Sequence, residues 1–194
     1  MSLKLVTAAS TYPVTLAEAK LHLRVDSTDE DTLITALITA ATEMCEQKTG
    51  RAIMQQTWDV TLDEFPTYFE LTRVPVQTVT YVKYYDTDGV LQTLSSALYT
   101  VSSADDFGFG KITPVYGTEW PSAIAQPDAV VVRYVAGYAN AAAVPEPIKA
   151  WIKLMINTMF DNRETESYSS RAVSTTVQMS FVDRLLDRYV VHSL

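Results

Sequence analysis

The chain has 194 residues, 47 % of them hydrophobic and 20 % charged, which excludes wholesale disorder and leaves room for a substantial core. Its formal net charge of -8 at pH 7 argues against sequence-independent binding to nucleic acid, because attraction to phosphate needs a basic surface. A single cysteine, Cys45, excludes an internal disulfide framework, and no apolar run is long enough to span a membrane as a helix.

The N-terminus has no signal-peptide pattern, so the expected product is soluble and made in a reducing cytoplasm. Met1-Ser2-Leu3 carries no structural weight in this reading, and residues 4–14 read as an extended lead-in that ends at Pro13. Thr15-Leu16-Ala17-Glu18 has the pattern of a capping box and opens a short helix to about Arg24. Val25-Asp26 turns the chain into the main helix, Ser27–Gly50. There Leu33, Ile34, Leu37, Ile38, Ala41, Met44 and Cys45 recur at three- and four-residue steps, the mark of one buried helix face. Ser27 with Glu30 predicts a second capping box, and Gly50 suits a left-handed close. The two helices form an αα-hairpin too small to be stable alone.

From about Ile53 the hydrophobic period changes from 3.6 to 2. Trp58, Val60 and Leu62 alternate with Thr57, Asp59 and Thr61, and further strands are predicted near 69–71, 76–85, 90–94, 98–101, 111–115 and 129–136. Asp88-Gly89 predicts a hairpin turn, and Ser102–Gly110 reads as a loop. Gly137–Val144 is a small, flexible join before PEPIKAWIKLMINTMFDNRE, where Pro147 suits the first helical turn. Ile148, Trp151, Ile152, Leu154, Met155, Ile156, Met159 and Phe160 cover most of that helix, so it must be buried on most sides. Thr165–Thr176 is rich in Ser, Thr and Glu. A final amphipathic helix is predicted over Ser180–Val191, with Phe181, Leu185 and Tyr189 in step and Asp183, Arg184, Asp187 and Arg188 solvated.

The expected fold class is therefore α+β. Residues 1–52 and 139–194 form a discontinuous helical bundle, and 53–138 form an inserted antiparallel β-unit.

Candidates for chemistry are few. His22 and His192 are the only histidines, and His22 reads as a helix surface residue rather than part of a catalytic triad. Cys45 sits in the apolar stripe and reads as core. The acidic group Asp26, Asp29, Glu30 and Asp31 lacks the glycine and distal glutamate of a calcium loop, and helix capping accounts for it. Asp86-Thr87-Asp88-Gly89 reads as a turn, and Gly108-Phe109-Gly110-Lys111 is too short for a phosphate-binding loop. Phe107 and Phe109 on that Gly-rich tip are candidates for partner contact. The tyrosines Tyr81, Tyr84, Tyr85, Tyr134 and Tyr138 are good strand residues without a basic patch that would make them a base-stacking platform. No cofactor, no metal and no enzymatic activity are expected.

PVTLAEAKLHLRVDSTDEDTLITALITAATEMCEQKTGR, RYVAGY and VPEPIKAWIKLMINTMFDNRE, in that order and spacing, resemble the head–tail connector (adaptor, or head-completion) proteins of long-tailed phages. The likeness is to a larger subfamily with a β-rich insertion. It implies a structural virion protein, made in the bacterial host cytoplasm and located in the neck. It also implies a ring below the portal, about twelve copies by portal symmetry, around a channel through which DNA passes without specific binding. Portal protein and tail-completion proteins would be its partners. The helix around Trp151, Met155 and Met159 has more apolar surface than one neighbouring helix covers, so these residues are candidate interface positions. Phe181, Leu185 and Tyr189 are candidates for docking, with the 165–194 region ordering on binding and truncation after Glu164 leaving the fold mostly intact; the equal alternative is an ordinary helix that folds back on its own subunit. The alternative is a neck or tail binding module whose β-unit recognises another tail or host component.

Overall fold

The computed structural model describes residues 1–102, 109–162 and 182–191. Helix α1 spans Leu16–Leu23, and its capping box forms as expected. Thr15 Oγ1 accepts from the Glu18 amide at 3.2 Å, and the Glu18 carboxylate accepts from the Thr15 amide at 2.7 Å. Helix α2 spans Asp31–Thr49 and turns Ile34, Ile38, Ala41 and Cys45 into the core, closing at Gly50 with φ +72°. The expected box at its start does not form. Ser27 Oγ is engaged by Asp29, accepting from its amide and donating to its carboxylate. The helix instead starts at Asp31, whose carboxylate takes Lys20 Nζ of α1 at 2.6 Å and ties the hairpin together.

Strands β2 (Gln56–Leu62), β3 (Phe69–Leu71), β4 (Val76–Tyr85), β5 (Leu91–Leu94), β6 (Tyr99–Ser102), β7 (Gly110–Pro114) and β8 (Val130–Ala136) fall where the alternation put them. They divide into two antiparallel sheets. Five strands run in the order β1-β2-β8-β4-β5, and three in the order β3-β7-β6. The small sheet covers one face of the large one, so Phe69, Leu71 and Ile112 pack with Val60, Val82, Val130 and Val132. On the other face Arg133 grips Asp59 with two bonds of 2.8 Å.

One strand was not expected. Ser2–Thr7 is β1, an edge strand paired antiparallel to β2, so the first residues join the sheet and not the helical unit. Leu3 is the apolar anchor, packed against the sheet core opposite Val60, while Leu5 and Val6 stay exposed on this edge strand.

Helix α3 spans Glu146–Asp161 and packs on α1 and α2. Ile148, Trp151, Ile152, Met155 and Ile156 are buried with Ile34, Ile38 and Cys45 in a helical core separate from the sheet core. The join is held rather than flexible. The Gly137 amide donates to Pro75 O at 2.9 Å and the Tyr138 amide to Ile53 O at 3.0 Å. Gly137 has φ +103°, and a Cβ there would lie 2.1 Å from Met54 O, so only glycine lets the chain pass. Helical and strand modules are thus stitched at one crossing.

Candidate interface and the C-terminal clasp

Two elements position most of the expected interface residues: α3 and the segment 182–191. Trp151 is 2 % exposed, and its indole Nε1 donates to Asp183 Oδ1 at 3.1 Å. Asp183 Oδ2 takes Lys48 Nζ of α2 at 2.7 Å. The Lys48 ammonium, and to a smaller degree the Trp151 indole, hold the Asp183 carboxyl below its ordinary range against the opposing effect of burial. One carboxylate therefore joins α2, α3 and the C-terminal segment.

A second tie lies further along. Arg51 is 1 % exposed; its Nε donates to Tyr189 O at 2.6 Å, and its guanidinium lies 6.0 Å from the Tyr189 ring centroid. The Val191 amide donates to Thr49 O at 2.8 Å. Val182, Leu186 and Tyr189 are buried in the helical core, at steps of four and three. This clasp closes the bundle.

The expected residues are distributed as follows. Trp151 and Met155 are buried within the chain's own core, while Met159 and Leu185 are half-buried at its margin. Tyr189 is 9 % exposed and part of the clasp. Phe109 is half-buried and lines a shallow depression with Leu3, Arg73 and Val191, so it packs near the clasp instead of standing free. Phe107, Phe181, His192 and the stretch 165–176 lie outside the described residues.

The final helix is shorter than expected at its C-terminal side: among the described residues only 182–183 are α-helical. A turn at 184–186 follows and leads into a short 3-10 turn, Asp187–Tyr189, and the buried set is Val182, Leu186 and Tyr189 rather than Leu185 and Tyr189. Arg184, Asp187 and Arg188 are exposed as expected, but Asp183 is bound. The amphipathic step was legible. The deeper phase of the stripe, one residue on, was the signal missed.

No group of three or more His, Cys, Asp or Glu among the described residues could hold a metal ion, and His22 is exposed on α1. Cys45 is fully buried, and burial, with the nearby Glu46, pushes its thiol up to about 12, which makes it inert as a nucleophile. The Asp86 carboxylate accepts from the Asp88 and Val90 amides and from Gln92 Nε2, which assigns the acidic turn to closing the β4–β5 hairpin.

A cavity of about 500 Å³ lies between residues 8–12, α2 and β2, with Glu46, Gln56 and Arg73 in its wall. Glu46 Oε1 accepts from the Ile53 amide and from Gln56 Nε2, both at 2.8 Å, tying α2 to the start of the strands. Burial raises the Glu46 carboxyl above its ordinary value, against the pull of those two bonds. A raised folded value means that the group stabilises the fold most when protonated, and that this contribution is lost as pH rises through that value. Glu46→Gln keeps the acceptor without the buried charge. The variant's melting temperature relative to the parent should climb between pH 4 and pH 7, and a flat or falling difference in calorimetry would contradict the assignment.

With this geometry in hand, the comparisons are specific. Residues 13–99, which hold the helix pair and the chain as far as β6, match the family model described as phage gp6-like head-tail connector protein. The resemblance read from the sequence is borne out there. No curated protein matches the chain by sequence. Among solved structures, a chain in the neck of an empty gene transfer agent (GTA) particle computed with C6 symmetry superposes with a TM-score of 0.79 at 22 % identity, covering 100 % of this chain and 97 % of that one. A chain in the native GTA virion gives 0.78 at 22 % identity, and one in the native GTA neck computed with C12 symmetry gives 0.77 at 21 %, each with the same coverage. The mixed α+β fold is shared along the whole length.

Proposed function

We propose that, as the match over residues 13–99 implies, this chain is a structural head–tail connector subunit of a phage-like neck. It forms a ring of identical copies below the portal, around the DNA channel, and offers a platform for tail attachment. The observation that carries this reading is the convergence of α1, α2, α3 and the clasp into one core, with a strand module looped out between α2 and α3. Full-length likeness to neck chains in particles computed with C6 and C12 symmetry supports a cyclic assembly of about twelve copies.

In this reading residues 1–52 and 139–194 are the ring-forming base, except that Ser2–Thr7 belongs to the sheet, and 53–138 face other neck components. Function is shape and self-association, with no covalent step. A net charge of -8 suits a channel that DNA must slide through without being held.

Assembly tests the proposal. In mass photometry at high concentration, or with the portal as template, the chain should appear as rings or partial rings. A chain that stays monomeric and also fails to join the portal would contradict it.

A further inference from the structure

Helix α2 has a second apolar stripe beside its core face, half-buried at Leu37 and Ala40 and open at Leu33 and Met44. From Thr32 to Thr42 the helix carries no charged residue, in a protein where 20 % of residues are charged. Eleven residues at 1.5 Å each make roughly 16 Å of charge-free helix. Solvent-facing helix surfaces ordinarily carry the polar and charged residues. Here Leu33, Leu37, Ala40 and Met44, at steps of four, three and four, stand on one stripe, with Ala36 beside it. Leu33 is 37 % exposed and Met44 40 %, whereas the core side of the same helix, at Ile34 and Ile38, is closed.

The stripe continues onto α3. Met44 meets Trp151 and Met155 across a shallow depression of about 300 Å³, whose far wall is Lys48 and Asp183 of the clasp. The two buried candidates from the sequence thus show only their edges, and they show them here.

We infer that this α2 stripe is covered by a second copy of the same chain, as one side of the contact between neighbouring subunits. The inference rests on the connector reading and names the surface that reading requires. The ring reading supplies the occupant, an identical neighbour, and electrostatics bears on where it sits. Two copies each carrying -8 repel one another, and the repulsion is weakest where neither desolvation of charge nor like-charge contact is required. The charge-free stretch of α2 meets that condition as far as Thr42, with the exposed Glu43 at its edge, and the half-exposed Leu33, Leu37 and Met44 supply the apolar contact. Such a patch on a chain with neck-ring structural relatives is the place for a repeated subunit contact.

Ala36→Glu tests it. Ala36 is exposed, so the substitution places a charge on the stripe without disturbing the core. Ala125→Glu, the same change at an exposed position in the strand module, is the comparison. Leu33→Glu, on the stripe itself, 37 % exposed and in the first helical turn where a carboxylate is favoured, supplies a second stripe variant. Both stripe variants should melt like the parent and lose at least tenfold in ring formation by mass photometry, while Ala125→Glu keeps its rings. Stripe variants that form rings normally would overturn the inference, and rings that form but no longer join the portal would assign the stripe to the portal instead. A parent chain that gives no rings with or without portal would sink the connector reading itself.

Discussion

Truncation after residue 181 should unfold the helical core. Val182, Leu186 and Tyr189 are buried by it, and each buried side chain of this kind contributes about 1.5–3 kcal/mol. Arg51, 1 % exposed, would lose the Tyr189 carbonyl as its acceptor, at a further cost of about 1–3 kcal/mol. The total, about 5–12 kcal/mol, is comparable with the whole stability of an ordinary domain. Circular dichroism should show a broad or absent thermal transition for the truncated chain. A cooperative transition at the parent's temperature would show that the clasp is dispensable. This runs against the expectation that truncation after Glu164 leaves the fold mostly intact, and favours the alternative in which the end of the chain folds back on its own subunit.

Trp151→Ala should be the most damaging single change in α3. It removes the largest buried side chain of the helical core and leaves a cavity, costing about 3–5 kcal/mol. For a chain of this size that corresponds to a fall in melting temperature of about 10 °C. It also strips Asp183 of one of its two donors. Trp151→Phe weighs the second effect more heavily, since it keeps the six-membered ring, leaves a smaller cavity and loses the indole bond to a carboxylate, worth about 1.5–3 kcal/mol. Calorimetry of the two variants should rank them in that order. Equal melting temperatures for Trp151→Ala and the parent would mean that the side chain is not packed as described.

Much of this was legible because local signals agreed with the tertiary result. Thr15 and Glu18, Gly50, Pro147 and the apolar stripes of α2 and α3 each encode a helix boundary or face through their own chemistry. Strands β2, β4 and β8 announced themselves by alternation. What failed depended on partners far along the chain. Ser27 and Glu30 have the spacing of a capping box, but Lys20 draws the helix start to Asp31. β8 lies between β2 and β4, an order that alternation cannot encode because every half-buried strand looks alike.

The interface was less legible than the fold. Trp151 and Met155 were read as too apolar for one neighbour, yet α1, α2 and the clasp together cover them. Asp183, read as solvated, is the carboxylate where α2, α3 and the C-terminal segment meet, and nothing in its local sequence says so. The charge-free run of α2 was visible from the start as good core-helix composition. Only the burial pattern separates its core side from its open one.

Single-particle imaging of the chain bound to its portal tests the central claim most directly. The account predicts a closed ring in which each subunit keeps one helical core sealed by residues 182–191, with α2 packed against the adjacent copy and the strand module away from that contact. Isolated subunits scattered on the portal, or a ring joined through the sheets while Leu33 and Met44 stay in solvent, would contradict it.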